Sequence, residues 1–271
     1  MSEPTKEIFV SYPGLIIAIL FYIMYPLSLS FIWYNKFEGK IKHILVGAAG
    51  FFVSVLILER IILSILRYIF PNKIFVYIIS LISPGLFEET ARYVCFIILL
   101  KNPINRDKIT SISYGIGHGG IEAIYLALLN LLPILIAKDY FIKNGDLTND
   151  ISFLTCIMGA IERFFAVIIH ISLSVVVYKA VNEKKILFYI GAIFYHDLVD
   201  FFALLYQSEV INIYLLEIIV AILSVCSAFF AYKLYTSDEN ISDSEGGENI
   251  LPENTENPTM NQENQETPET L

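Results

Sequence analysis

The fold follows from one run of ten residues, Pro84-Gly85-Leu86-Phe87-Glu88-Glu89-Thr90-Ala91-Arg92-Tyr93. The run lies inside an apolar segment from about 75 to 100, so two adjacent carboxylates and a guanidinium sit at membrane depth. Each charged side chain at the centre of a bilayer costs roughly 2.5–3.5 kcal/mol on insertion scales. Such groups usually face the interior of a helical bundle and mark a functional site. The run therefore predicts a site that several helices enclose.

The whole chain has the composition of a membrane protein. Of its 271 residues, 56% are hydrophobic and 17% are charged, and the mean hydropathy is +0.63. Soluble domains carry about 25% charged residues. An apolar segment of about 20 residues can cross the hydrocarbon core, and we find seven, at about 15–34, 43–66, 74–100, 109–136, 151–177, 186–206 and 210–235. The expected fold is an all-α, polytopic transmembrane helical bundle of about seven spans.

The third span is expected to be broken at Pro84-Gly85. Proline removes a backbone hydrogen bond, and glycine weakens a helix. A broken helix is tolerated at that depth only where protein or a wet cavity surrounds it. The pair Glu59-Arg60, by contrast, is expected to be an ordinary pair near the end of the second span.

Two domains are expected, a transmembrane domain over 1–235 and a disordered acidic tail over 236–271. The tail holds ten acidic residues and no basic one, which leaves 17 acids and 18 bases in the remainder. Lysines and arginines near the span ends number ten on one side and five on the other. The positive-inside rule then places the C-terminus in the cytoplasm and the N-terminus outside a cell membrane. The expected surroundings are a lipid bilayer, and nothing in the composition indicates a nucleic-acid partner.

Four successive spans each offer an acid or a histidine to a shared interior. Residues four apart lie on one helix face, and the pairs with that spacing are Glu88 and Arg92, His118 and Glu122, and His196 and Asp200. In the fifth span, Glu162 and His170 point within about 80° of each other at about 100° per residue, and Arg163 adjoins Glu162. The pattern predicts that these side chains gather around one pocket.

The groups suit hydrolysis. Arg92, one turn after Glu88, could keep one carboxylate ionised while Glu89 serves another role. A carboxylate and His118 could together take a proton from a water that attacks a carbonyl. His196 could donate a hydrogen bond to the developing oxyanion.

Three motifs resemble the YhfC family of intramembrane proteases, which is related to the PrsW and type II CAAX prenyl endopeptidase groups. They are Glu88-Glu89-x-x-Arg92, the Gly-x-Gly-His-Gly-Gly-x-Glu-Ala run at 115–123, and His196-x-x-x-Asp200. The resemblance covers roughly residues 10–235, and the glycine-rich run around His118 is its most specific part.

The resemblance implies a glutamic-type intramembrane protease that hydrolyses a membrane-embedded or membrane-adjacent peptide. Glu88 would activate the water with His118, and Glu89 and Arg92 would support them. The pair His196 and Asp200 would stabilise the oxyanion.

The spacing within the first motif differs between the related groups. Only two residues separate Glu89 from Arg92, as in the PrsW group, whereas the CAAX group has three. This spacing leaves open which of the two glutamates is the base. Glu122 is a further candidate from the glycine-rich run. Glu162, Arg163 and His170 have no counterpart in the core CAAX pattern and are expected to have supporting positions.

The sequence leaves the metal question open. Three histidines and several carboxylates could furnish a zinc site, which in enzymes takes three protein ligands and one open position. The chain lacks HExxH, and Cys95, Cys156 and Cys226 are scattered singly. We expect metal-independent hydrolysis without a cofactor, with a metal-dependent peptidase as the alternative.

Other classes of function stay open beside the protease. The charged residues could be ion pairs that hold helices together. Acid and histidine chains also serve proton-coupled transporters, although the sequence shows neither a repeat nor a second broken helix. A non-catalytic member of the family that protects against a secreted peptide is a third possibility.

Overall fold

The structure is a computed structural model that describes residues 8–147 and 149–237. Within these residues, seven helices are long and apolar enough to cross a membrane. They are α1 (Tyr12–Lys36), α2 (Ile41–Ile69), α3 (Lys73–Leu99), α4 (Lys108–Lys143), α5 (Phe153–Asn182), α6 (Ile186–Gln207) and α7 (Ile213–Thr236). Each expected span overlaps one of them, which confirms the all-α polytopic bundle. The expected disordered tail lies outside the described residues.

Polar side chains start four of the helices. Ser11, Asn72, Asp107 and Ser152 precede α1, α3, α4 and α5, and each side-chain oxygen accepts a hydrogen bond from a backbone N–H of the first turn. A cap of this kind satisfies a backbone donor that has no partner within its own helix. The local sequence therefore determines where these four helices start, independently of how the helices pack.

The outer surface of the bundle is apolar. Large hydrophobic side chains point outward, among them Tyr68, Leu187 and Phe194, which are 89%, 78% and 71% exposed. Charged side chains lie inside instead, and Glu89 and Arg92 are completely buried. In a hydrocarbon solvent this arrangement is the favourable one, because apolar groups can face lipid and ions need polar partners. The distribution is that of a multi-pass membrane protein.

Helix α4 lies at the centre because its glycines let two neighbours approach closely. A Cβ at Gly117 would lie 1.8 Å from the carbonyl oxygen of Ile44 in α2, and one at Gly115 would lie 2.6 Å from Cα of Ile171 in α5. Only glycine permits backbones to meet at these distances. The glycine run thus positions His118, which follows Gly117 directly and is completely buried.

The expected break in the third span is wrong. Helix α3 runs continuously from Lys73 to Leu99 with Pro84 inside it. Asp197 of α6 accepts a hydrogen bond of 3.0 Å from the backbone N–H of Gly85, immediately after the proline. A neighbouring carboxylate therefore satisfies the backbone where the proline disturbs it, and the helix does not end.

Irregular geometry occurs in two other spans. Residues Phe52–Glu59 of α2 and Ala127–Leu131 of α4 form π-helical segments. In a π-helix the hydrogen bonds run over five residues instead of four, and such segments are frequent at functional sites. The first segment ends on Glu59, whose side chain is buried inside the bundle.

An ion pair joins the segment before α2 to the start of α4. Asp107 accepts hydrogen bonds from the side chain of Lys40 and from the backbone of Thr110. Partial burial opposes ionisation of Asp107, but the hydrogen bonds from Lys40 and Thr110 outweigh it and hold the pKa of this carboxyl below its ordinary value. The ion pair therefore adds stability above the unfolded pKa of about 3.9 and loses it as the pH falls through the lower folded pKa.

We expect Asp107→Asn to lower the free energy of unfolding by about 0.5 kcal/mol at pH 7, because asparagine keeps the cap and removes only the exposed ion pair. The difference from the wild type should shrink towards zero as the pH falls below about 4. Thermal unfolding in detergent between pH 3 and 7 measures it. Asp146→Asn, at an exposed carboxyl, is the control, and a pH-independent difference at Asp107 would contradict the assignment.

Candidate functional site

Helices α3 and α4 bring Glu88 and His118 together. Oε2 of Glu88 lies 2.9 Å from Nε2 of His118, and both residues are buried. The other imidazole nitrogen, Nδ1, is buried without a hydrogen-bond partner in the described part of the chain. The sequence prediction that these two residues share one interior agrees with this contact.

Arg92 pairs with Glu89, not with Glu88. Its Nη1 donates to both carboxylate oxygens of Glu89 at 2.6 Å. The expectation that Arg92 pairs with Glu88 is therefore wrong. Residues three and four apart share a helix face, and the guanidinium of Arg92 binds Glu89, three residues before it. The second partner of Glu89 is His196 of α6, whose Nδ1 lies 2.8 Å from Oε1. Glu89 is thus held from two sides, with no exposed surface.

His170 of α5 sits between the two acid–base pairs. Its Nδ1 faces Nη2 of Arg92 at 3.2 Å, and a guanidinium has only donors, so Nδ1 accepts. Its Nε2 lies 2.5 Å from Oε2 of Glu122. The imidazole ring is 5.2 Å from that of His118 and 5.4 Å from that of His196. The residue assigned a supporting position by sequence thus lies in the middle of the cluster.

Glu122 turns towards α5 rather than towards His118. Nη1 of Arg163 donates to Oε1 of Glu122 at 2.6 Å, and Arg163 also bonds the neighbouring Glu162. The spacing of four that suggested a pair with His118 describes a shared face only, and the guanidinium of Arg163 is the stronger partner for a carboxylate. These three residues form a second ion-paired group beside His170.

His196 joins the two glutamates. Its Nδ1 is engaged by Glu89, while Nε2 lies 3.8 Å from Oε2 of Glu88 and 3.6 Å from Oδ2 of Asp200. Because Glu89 is an acceptor bound to Arg92, Nδ1 of His196 carries the proton in this contact. Nε2 is therefore the ring atom that remains for a substrate.

One cavity of about 730 Å³ adjoins the cluster. The predicted site residues that line it are Glu88, Glu122, Glu162, Arg163, His170, His196 and Asp200. The other three, Glu89, Arg92 and His118, are buried behind this wall. The chain thus separates groups that can meet a substrate from groups that hold them in place.

Two glutamates that sequence reasoning did not place at the site also line the cavity, Glu59 of α2 and Glu217 of α7. Oε1 of Glu59 accepts a hydrogen bond of 2.6 Å from the hydroxyl of Ser83. The interpretation of Glu59-Arg60 as an ordinary end-of-span pair is therefore wrong for Glu59. The signal in the sequence is an acidic residue within an apolar span, and Glu217 carries the same signal.

Three residues of the cluster can act as metal ligands. Glu88, His118 and His170 each offer one ligand atom, and these atoms lie within 4.8 Å of one another, all on buried residues. Two imidazoles and one glutamate are the donor set of a class of catalytic zinc sites. The buried and unpartnered Nδ1 of His118 adds a free donor atom at the same place. The donor set therefore fits a catalytic metal ion once one nitrogen of His170 exchanges its contact with Arg92 or Glu122 for the ion.

The part of the chain that matches known proteins includes the site. Residues 18–220 match a family model described as YhfC intramembrane metalloprotease. A similar protein is the uncharacterized membrane protein YhfC of Bacillus subtilis (strain 168), which is 26% identical over 229 residues, covering 74% of this chain and 88% of that protein. No solved structure matches the chain. All ten predicted site residues, from Glu88 to Asp200, lie inside the matched range.

Proposed function

Because the chain belongs to the YhfC intramembrane metalloprotease family, we propose that it hydrolyses a peptide bond within or beside the bilayer at the cluster around Glu88 and His118. One observation carries the proposal: acid and imidazole groups from α3, α4, α5 and α6 converge at the wall of a single cavity. A water molecule admitted to that cavity would meet a carboxylate and imidazoles held in fixed positions.

Glu88 is the base in the metal-independent form of this proposal. Its Oε2 is engaged by His118, and its Oε1 makes no hydrogen bond to any part of the chain that the structure describes. A carboxylate oxygen left free beside a cavity can take a proton from water as that water attacks a carbonyl. Glu89 cannot do the same, because Arg92 and His196 occupy its oxygens.

His196 stabilises the oxyanion that forms. Its Nδ1 is fixed by Glu89, which orients the ring, and Nε2 can donate to the oxyanion when the imidazole is doubly protonated. A donor held in place before the reaction stabilises developing charge without a cost of reorganisation. Oδ2 of Asp200, one turn further along α6, lies 3.6 Å from Nε2, too far for a hydrogen bond, and places a second carboxyl group beside this atom.

In the metal-dependent form of the proposal, Glu88, His118 and His170 would instead hold the metal ion that the family description implies. A bound divalent ion would polarise the scissile carbonyl and make the attacking water more acidic. His170 would ligate through one ring nitrogen, which would have to leave its present contact with Arg92 or Glu122, and the contact that remained would orient the ring. Such outer partners fix the direction of a ligating imidazole.

The proposal includes the orientation of the chain in the membrane and the class of its substrate. The ratio of ten to five in basic residues supports a cell-membrane protein with its N-terminus outside and its C-terminus, including the acidic tail of 236–271, in the cytoplasm. The substrate is a membrane-embedded or membrane-adjacent peptide, because the cavity lies within the helical bundle.

Metal analysis tests the ligand assignment. We expect the purified chain to carry about one equivalent of a divalent metal, as a catalytic site with three protein ligands does. His118→Ala and His170→Ala should each lower that content severalfold, because each removes one of three ligands. Elemental analysis by mass spectrometry after gel filtration measures it, and His43→Gln, at a histidine outside the cluster, is the control.

The same preparations distinguish the alternatives when assayed in proteoliposomes with quenched fluorogenic single-span peptides. Cleavage by a metal-free wild type that resists chelators would favour the metal-independent mechanism expected from the sequence. Absence of cleavage across the peptide panel, with metal bound, would contradict the proposed protease function.

A further inference from the structure

The cavity contains acidic groups that the proposed reaction does not use. Six carboxylates line it, and the only lysine or arginine side chain among the lining residues is that of Arg163. The six are Glu59, Glu88, Glu122, Glu162, Asp200 and Glu217. Arg163 is already bonded to Glu122 and Glu162. The wall therefore has more carboxyl groups than lysine and arginine side chains to pair with them.

Glu217 is the clearest case. The residue is only 7% exposed, and both of its carboxylate oxygens are buried without a hydrogen-bond partner in residues 8–147 and 149–237. A buried carboxylate without a partner is costly, and such groups in native proteins call for a specific explanation. Inside a membrane protein an ionisable group of this kind marks a pathway or a ligand site.

The surroundings of Glu217 suit a long basic side chain. Leu216 and Val220, also in α7, line the same cavity and are 5% and 2% exposed. Lysine and arginine bury their methylene stems along apolar surface while their charged ends reach a polar partner. An apolar wall with one carboxylate set into it matches that shape and charge.

A second metal ion matches the site less well. Among the described residues, the group of acids and histidines whose ligand atoms converge is Glu88, His118 and His170, and Glu217 is not part of it. A metal ion needs several converging ligands, whereas an ammonium or guanidinium group is well served by one carboxylate.

We propose that Glu217 of α7 recognises a lysine or arginine side chain of the peptide substrate as it enters the cavity. This inference rests on the proposed function and adds the substrate class to it. The peptide would lie with its basic side chain along Leu216 and Val220, and its backbone would pass towards Glu88 and His196 on the same cavity wall.

Binding measurements test the inference without relying on turnover. Three apolar single-span peptides that carry lysine, methionine or glutamate at one central position are titrated against the full chain in nanodiscs, with Glu88→Gln present to prevent cleavage. We expect the lysine peptide to bind at least about tenfold more tightly than the methionine peptide, the scale of a hydrogen bond to a charged group. Adding Glu217→Gln should remove that preference, and Glu217→Lys should shift it to the glutamate peptide.

Glu209→Gln is the matched control, because Glu209 is an exposed acid in the segment just before α7 and should leave the preference unchanged. Equal binding of the lysine and methionine peptides, binding of none of the three, or a preference that survives Glu217→Gln would each overturn the inference. These outcomes leave the proposed function standing, since cleavage is measured separately on the wild-type chain.

Discussion

Glu88→Gln should reduce peptide cleavage by about 10²–10⁴-fold, the range in which a positioned general base contributes to a reaction. The amide keeps the size of the side chain and a hydrogen bond to His118, but it cannot accept the proton of the attacking water. The fold should hold, because Glu88 makes no ion pair with lysine or arginine in the described structure. Initial cleavage rates in proteoliposomes measure the first effect, and thermal unfolding in detergent measures the second.

Glu89→Gln is the matched control, and it should lower the thermal stability that Glu88→Gln preserves. Arg92 has no exposed surface and donates to both oxygens of Glu89. Removal of one partner of a buried ion pair costs about 3–5 kcal/mol, because the other charge stays buried without compensation. We therefore expect a large loss of thermal stability. A Glu89→Gln variant that is fully stable but inactive, together with an active Glu88→Gln variant, would show that Glu89 is the base and that Glu88 is not.

Gly117→Ala should prevent correct assembly of the bundle. The new Cβ would lie 1.8 Å from the carbonyl oxygen of Ile44, so α2 and α4 would have to separate. Overpacking costs typically about 1–3 kcal/mol and occasionally more, and here the obstacle is backbone, which cannot rotate away. We expect a reduced yield of monodisperse protein and a lowered unfolding temperature, measured by gel filtration and thermal unfolding in detergent.

Gly191→Ala is the control for this substitution. Gly191 lies in α6, and a Cβ there would meet nothing within 4 Å. Alanine is favoured over glycine inside a helix by about 1 kcal/mol, so this variant should be as stable as the wild type or more so. If Gly117→Ala were equally well tolerated, the close approach of α2 and α4 would be contradicted.

The seven spans and the contact between Glu88 and His118 could be predicted because they depend on strong local signals. A run of about 20 apolar residues predicts a membrane-spanning helix, and ionisable side chains at membrane depth are expected to pair with one another. Local signals also explain the errors. Pro84 reads as a helix break in isolation, and only the position of Asp197, in another helix, shows how its backbone is satisfied.

Pairings within the cluster depend on geometry that spacing does not resolve. Arg92 lies one turn from both Glu88 and Glu89, and His118 lies one turn from Glu122. The choice among them is made by side chains from α5 and α6, chiefly His170 and His196. A single sequence contains these residues but not their distances, so the central place of His170 could not be predicted.

The π-helical segment of α2 has a consequence for how this chain tolerates changes in length. A π turn holds about one residue more than an α turn. The segment Phe52–Glu59 can therefore accommodate the loss of one residue, which the regular parts of α2 cannot. Deleting one residue there would tighten the segment into regular α-helix and leave the two flanking parts of α2 in nearly the same relative orientation, whereas a deletion elsewhere in α2 would rotate one part by about 100° relative to the other. The change would be confined to side chains near the segment, where the hydrogen bond between Ser83 and Glu59 is the polar contact most directly affected. Among homologous chains, gaps in this segment would therefore mark proteins whose cavity has a different wall.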